Sequence, residues 1–175
     1  MEIINISIRK VGSNEVEFLQ ELGRRTFLET FGDSNTNEDM EDYLSESFDY
    51  HKLKAEVVHP LSDFYFAEVN GNVVGYLKLN LGEAQTESEL QNACEIERIY
   101  VLSEYLGKKV GQQLFEKAVA IAKSTNVEWL WLGVWEHNQR AIRFYEKNGM
   151  EVFGQHVFKL GEDEQTDLLM RLALY

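Results

Sequence analysis

Apolar positions along the chain switch repeatedly between a period of two and a period near 3.6, and each switch marks an element. Ile3 to Arg9 alternates apolar and polar side chains and reads as a strand. From Asn14 the period turns helical, with Val16, Leu19, Leu22, Phe27 and Phe31 on one stripe until Gly32-Asp33-Ser34 breaks it. Asn37 can cap a second helix through about Glu46, with Met40, Tyr43 and Leu44 apolar. Tyr50 to Val58 is a third helical segment, stopped by Pro60. Asp63 to Val69 and Asn72 to Asn80 read as strands around Asn70-Gly71, a strong hairpin signal. Leu81 to Asn92 is polar and acidic, hence a loop. Ala93 to Val101 is a strand, Val110 to Ser124 an amphipathic helix, Glu128 to Trp135 a strand, and Asn138 to Asn148 a helix ended by Gly149. Val152 to Leu160 and Asp167 to Ala173 are strands around the turn Gly161-Glu162-Asp163-Glu164. This order predicts an α/β fold: one mixed, mostly antiparallel central sheet of about seven strands with helices on both faces.

At 175 residues the chain suits a single domain, 1–175, with a full-sized core. No window approaches about 18 consecutive apolar residues, so no membrane span is expected. No basic region precedes an apolar stretch at the N-terminus, so no signal peptide is expected. The single cysteine, Cys94, rules out an intramolecular disulfide and fits a reducing compartment, hence a cytoplasmic location. It reads as a small buried residue rather than a nucleophile. The four histidines, His51, His59, His137 and His156, share no metal spacing, and no metal is implied. His156 precedes a strand expected to face a cleft. A formal charge of −13 would repel phosphate backbones and disfavours a nucleic-acid partner. Solubility alone and a cationic substrate such as a polyamine both fit that charge.

Three segments carry candidate chemistry. Strand alternation from Glu95 would put Glu95, Glu97, Ile99 and Val101 on one face. Two neighbouring carboxylates repel, and a raised pKa on one would suit a general base. The alternative is that one of them pairs with Arg98 or with a charge on a neighbouring strand. Next, Ser103 to Gly111 is a glycine-containing loop at a helix N-terminus, which suits a pyrophosphate, and Lys108 and Lys109 add positive charge. Last, helical spacing puts Asn138, Ala141 or Ile142, and Tyr145 on one face, an amide and a phenol roughly 10 Å apart. Tyr145 could donate its proton to a leaving thiolate, or be a core aromatic with a satisfied hydroxyl. Trp129, Trp131 and Trp135 read as core or cleft wall.

Taken in this order, these segments resemble the acetyl-CoA-binding core of the Gcn5-related N-acetyltransferases, over about Asp63 to Tyr175. Phe27 to Phe31, Glu38 to Leu44, Glu95 to Tyr100, Trp131 to Tyr145 and Gly161 to Met170 further resemble the PaiA-type spermidine/spermine N-acetyltransferases. The resemblance implies direct acetyl transfer from acetyl-CoA to a primary amine such as spermidine or spermine, with no acyl-enzyme. Another small amine, a peptide N-terminus, or a non-catalytic CoA-binding regulatory module stay open.

By the same resemblance, Ile99, Tyr100 and Val101 would meet the pantetheine arm and thioester on a strand splayed from Glu128 to Trp135. Leu106, Gly107, Lys108, Lys109, Val110 and Gly111 would hold the pyrophosphate. Asn138 would contact the cofactor arm, Lys147 would reach its phosphates, and Tyr145 would be the general acid toward sulfur. Glu97, or Glu95 through a water, would help deprotonate the amine. Glu29, Phe31, Asp33, Glu95, Trp135 and His156 are the expected acceptor-side residues. The acidic run Glu29, Asp33, Glu38, Asp39, Glu41 and Asp42 would either line a polyamine groove or form a solvated face. A homodimer would be in keeping with the superfamily.

The superfamily loop usually carries Gln or Arg, two residues, Gly, one residue, then Gly or Ala; here those positions are Leu106, Lys109 and Gly111. Only the last matches. Lys109 lacks the freedom of glycine, which bears on cofactor affinity more than on fold. Met150 where Phe is usual is a mild apolar swap.

Overall fold

The computed structural model describes residues 4–175, so the Ile3 end of the first expected strand lies outside the described residues. The elements are β1 (Ile6–Lys10), α1 (Val16–Phe31), α2 (Asn37–Ser47), α3 (Tyr50–Val58), β2 (Ser62–Val69), β3 (Asn72–Leu81), β4 (Ala93–Val101), α4 (Val110–Ser124), β5 (Trp129–Trp135), α5 (Gln139–Lys147), β6 (Glu151–Leu160) and β7 (Asp163–Ala173). They form a seven-stranded sheet in the order β1-β2-β3-β4-β5-β7-β6. Every neighbouring pair is antiparallel except β4 with β5. The mixed α/β sheet read from the sequence is the one observed.

Local chemistry explains most boundaries. Asn70 and Gly71 adopt φ of 51° and 86°, the left-handed pair that a two-residue hairpin needs. The cap of α2 is Thr36 rather than Asn37: the Thr36 hydroxyl accepts from the Asp39 amide at 3.1 Å, and Asn37 is already helical. The expected four-residue turn at 161–164 is shorter. Asp163 pairs with Leu160 and Glu164 with Lys159, leaving Gly161 (φ 63°) and Glu162 to reverse the chain. Asp163 and Glu164, which suggested a loop, are strand residues at the tip of the β6–β7 hairpin, beyond the end of β5.

Helices cover both faces. Lys78 of β3 reaches Glu56 of α3, and Phe66 of β2 meets Phe18 of α1, so Phe66, Tyr76, Lys78 and Asn80 face α1 and α3. On the other face Lys117 of α4 lies over Tyr65 of β2, and Leu114, Phe115, Ala118 and Ala122 of α4 are buried. Each fully buried leucine or phenylalanine contributes on the order of 1.5–3 kcal/mol. Phe115 also meets Phe144 and Tyr145, which docks α5 onto α4.

Two irregularities in β4 shape the site. The register against β3 slips, with Lys78 opposite Arg98 and Leu79 opposite Ile96, so Glu97 is a bulged extra residue. The slip corrects the expected alternation. Residues directly opposite one another share a face, so Glu95 (opposite Asn80), Arg98 (opposite Lys78) and Tyr100 (opposite Tyr76) face α1 and α3. Ile99 and Val101 face α4 instead, because one extra residue inverts everything beyond it. Second, β4 and β5 pair only at Ala93–Trp129, Cys94–Leu130 and Glu95–Trp131. Beyond Glu95 the two strands part.

Candidate active site

The gap between β4 and β5 opens into a cleft of about 1340 Å³, bordered by β4, β5, α1, α5, the start of α4 and part of β6. One half is built from backbone. After β4 the chain makes a 3₁₀ turn at Ser103–Tyr105 and passes through Gly107 at φ 80°. It then enters α4 through Lys109, which takes φ 68° and ψ 10° and whose side chain gives no cap. The first amides of α4 are therefore without a side-chain acceptor, and the helix dipole adds positive potential there. Leu106, Gly107, Lys109 and Gly111 line this half of the cleft. Lys108 and Val110 do not: the Lys108 ammonium lies 5.2 Å from the Tyr105 ring centre, and Val110 is core.

Ile99, Tyr100, Val101, Asn138, Tyr145 and Lys147 also line the cleft. Asn138 precedes α5 rather than opening it, and its Oδ1 accepts from the Ala141 amide at 3.3 Å. Tyr145 is 7% exposed, and burial pushes its phenol well above the usual tyrosine range.

The other half carries charge. Glu95 is 3% exposed, and its carboxylate accepts from the Thr86 amide (2.8 Å), the Thr86 hydroxyl (2.5 Å) and Asn80 Nδ2 (3.0 Å). Burial outweighs these neutral donors and raises the Glu95 carboxyl above its usual range. Glu97 accepts from Lys78 Nζ at 2.9 Å and Asn80 Nδ2 at 3.0 Å, with Arg98 Nε at 3.4 Å. Burial alone would raise Glu97, yet the Arg98 and Lys78 cations hold it below its usual range. The two glutamates are thus unlike: Glu97 is the charge-paired one that the sequence left open, and Glu95 has only neutral donors.

Further along, His156 lies within β6, inside the strand expected over Val152 to Leu160. Its Nδ1 is 2.6 Å from Glu87 Oε1, and its Nε2 is 3.7 Å from Asp167 Oδ2. Burial pushes the Asp167 carboxyl up to about 6, opposed by His156 and helped by Glu87. Gly133 makes room for this group, since a Cβ there would stand 3.3 Å from Asp167 Oδ2. Phe27 stacks on Tyr43 with ring centres 4.5 Å apart, and Phe31 meets Trp135 at 5.5 Å, forming an aromatic wall beside the carboxylates.

Of the expected acceptor-side residues, Glu29, Phe31, Glu95, Trp135 and His156 border the cleft. Glu29 is already engaged, accepting from the Ser103 amide at 2.6 Å and from Arg25 Nε at 3.2 Å. Asp33 is elsewhere, in a separate shallow depression with Asp39, Glu162 and Asp163. Glu38, Asp39, Glu41 and Asp42 do not border the cleft: α2 presents Tyr43 to it and not these carboxylates. Sequence reading missed Asn80, Lys78, Thr86, Glu87 and Asp167. A signal existed for the first two, as Lys78 and Asn80 interrupt a run of leucines at strand spacing.

Residues 18–150 match the Acetyltransferase (GNAT) family. The chain belongs to this family. It is an acetyl-CoA-dependent N-acetyltransferase with the acyl-CoA N-acyltransferase fold. An uncharacterized N-acetyltransferase of Lactobacillus delbrueckii subsp. lactis is 42% identical over 97% of this chain and 98% of its own length. A spermidine N(1)-acetyltransferase of Thermoplasma acidophilum is 27% identical, covering 95% of this chain and 96% of the relative. A crystal structure of PaiA N-acetyltransferase from the same organism, in complex with coenzyme A, superposes with a TM-score of 0.79 at 25% identity, over 97% of this chain and 99% of that one.

The chain's own residues fit this cosubstrate. The parted strands leave a slot, α4 presents uncapped amides, and the glycine missing at 109 is replaced by a lysine that nonetheless takes the left-handed backbone. Among the described residues no cluster of His, Cys, Asp and Glu is arranged to hold a metal, and no helix is long and apolar enough to cross a membrane.

Proposed function

We propose that this enzyme acetylates a primary amine of a small polycation of the spermidine or spermine class, by direct attack and without an acyl-enzyme. The observation that carries this reading is the acceptor half of the cleft, where Glu95 and Asp167 stand with an aromatic wall of Phe27, Phe31, Tyr43 and Trp135, and Glu87 holds the lining residue His156. Carboxylates and aromatic faces in a partly dry site both favour ammonium groups. The name of the Thermoplasma relative supports the same class. The acidic run on α1 and α2 does not supply the groove in this reading. We also read residues 1–175 as one acetyltransferase domain and place it in the cytoplasm, in keeping with a single buried cysteine.

Acetyl-CoA supplies an activated acetyl thioester. The amine, with a pKa near 10, arrives protonated and must lose a proton before it can attack. Glu95 takes that proton, directly or through a water, and releases it to solvent. The nitrogen then bonds to the acetyl carbon, and the backbone N–H groups of β4 beside the gap steady the oxyanion; losing one such donor typically costs about 2.7–4 kcal/mol. As the carbon–sulfur bond breaks, Tyr145 gives its phenolic proton to sulfur and is reprotonated by the second proton the nitrogen sheds. The first amides of α4, with Lys109 and Lys147, hold the cofactor phosphates, and Ile99, Val101 and Asn138 meet its arm.

Thiol release with spermidine, spermine, short diamines and amino-sugar antibiotics tests the reading. Polyamines should give the highest kcat/KM, weakened by salt; turnover confined to a singly charged amine would overturn the polycation assignment.

A further inference from the structure

We infer that Asn80 is a positioning residue that joins the two glutamates, holding Glu95 as the proton acceptor beside Glu97 as a fixed anion. The inference rests on the assignment of Glu95 as the base.

Asn80 is fully buried at 0% exposure, on β3 directly opposite Glu95. Its single amide nitrogen lies 3.0 Å from Glu95 Oε1 and 3.0 Å from Glu97 Oε1. A primary amide carries two N–H bonds, so each carboxylate receives one. On its other side the Ser62 hydroxyl donates to Asn80 Oδ1 at 2.9 Å. A flipped amide would aim its oxygen at two carboxylates, which only accept. The glutamates therefore set the direction of the amide, and Ser62 satisfies and steadies its oxygen.

Without this bridge the two carboxylates would repel more strongly, and a proton would be drawn onto Glu95, the one with no cation beside it. The β4 bulge lets both reach the same nitrogen. Lys78 and Arg98 then neutralise Glu97 alone, with Glu56 of α3 as the second partner of Lys78. Glu87, from the β3–β4 loop, pairs with His156 of β6, which also approaches Asp167 of β7, a separate cluster; Arg9 of β1 pairs with Glu15 and Glu68. Thr86 adds two neutral donors to Glu95. Among the described residues Asn80 is the one that hydrogen-bonds to both glutamates, and it lowers the repulsion between them without bringing a charge.

The sign follows. An N–H donated to a carboxylate favours its anion, so removing the Asn80 donor raises the pKa of Glu95 and moves the acid limb of kcat/KM to higher pH. Asn80→Leu, close in volume, should move that limb up by about one to two units, with rate returning toward wild type at high pH and acetyl-CoA affinity unchanged by calorimetry. Ser62→Ala, which leaves Asn80 Oδ1 without its donor and loosens the amide, should move the limb the same way by less, and supplies the test if Asn80→Leu folds poorly. A merely structural role would lower activity across the whole profile; unmoved acid limbs in both variants would overturn the inference. Glu95→Gln separates the two levels. If it keeps the wild-type acid limb, the assignment of Glu95 itself fails; if it abolishes the limb while the Asn80 and Ser62 variants leave it in place, only the role of Asn80 fails.

Discussion

Lys78 Nζ donates to Glu97 Oε2 across 2.9 Å, and both side chains are largely withdrawn from solvent. The pair explains why Glu97, although it borders the cleft, is poorly suited to accept a proton: an anion held by an adjacent cation gives up its charge reluctantly. Glu97→Gln leaves Lys78 with Glu56 alone. Loss of one charge-assisted bond costs about 1–3 kcal/mol, so the urea midpoint should fall while the acid limb of activity persists. An abolished limb with unchanged stability would show that Glu97, not Glu95, is the base.

Tyr145 is expected to act on sulfur. Its phenol is pushed up by burial, so it stays protonated across the neutral range and cannot serve as a base there. Tyr145→Phe should lower kcat by roughly 100-fold or more and leave acetyl-CoA affinity nearly intact. Unchanged turnover would remove Tyr145 from the mechanism.

Lys109 holds a left-handed backbone at φ 68°. For a residue with a Cβ that conformation costs about 1–2 kcal/mol, and glycine would relieve it while giving back about 0.5–1 kcal/mol of chain entropy. Lys109→Gly should therefore raise Tm by no more than about 6 °C. It should also weaken acetyl-CoA binding at low salt, because one phosphate-facing charge is gone. Calorimetry at two salt concentrations checks both effects; tighter binding would mean that backbone strain, not missing charge, limits the site.

The loop before α4 shows what the sequence could carry. Glycine and lysine before an amphipathic run suffice to place the turn into α4, and Asn70-Gly71 suffices for a hairpin, because both are local backbone chemistry. The bulge at Glu97 was not legible, since it is set by where β4 meets β3, not by β4 itself. The same applies to Asn80 and Lys78. In the sequence they resemble the wet side of a half-exposed strand, and only the packing of α1 and α3 shows that this side is closed. Asp33 failed for the opposite reason: a charge run on α1 and α2 says nothing about which way the helices turn.

Asp167 ties stability to pH. Its carboxyl is pushed from 3.8 to about 6 by burial, so the folded state holds the proton more tightly than the unfolded chain does. The resulting cost is absent below pH 4, grows as pH rises from 4 to 6, and is complete above 6. Asp167→Asn should therefore raise Tm at pH 7.5, with the gain fading as pH falls toward 4. The same variant should raise KM for a polyamine through loss of a cleft charge. Melting curves from pH 4 to 8 check the first effect and steady-state kinetics the second; an equal Tm change at every pH would contradict the titration.

The central claim is acetyl transfer to a polycationic amine. Its most direct test is acetyl-CoA turnover by thiol release, with the acetylated product identified by mass, across spermidine, spermine, a diamine, an amino-sugar and a short peptide with a free N-terminus. The account predicts monoacetylated polyamine as the favoured product, with kcat/KM falling as salt rises. Acetyl-CoA binding with no polyamine turnover, and acetylation of the peptide instead, would contradict it.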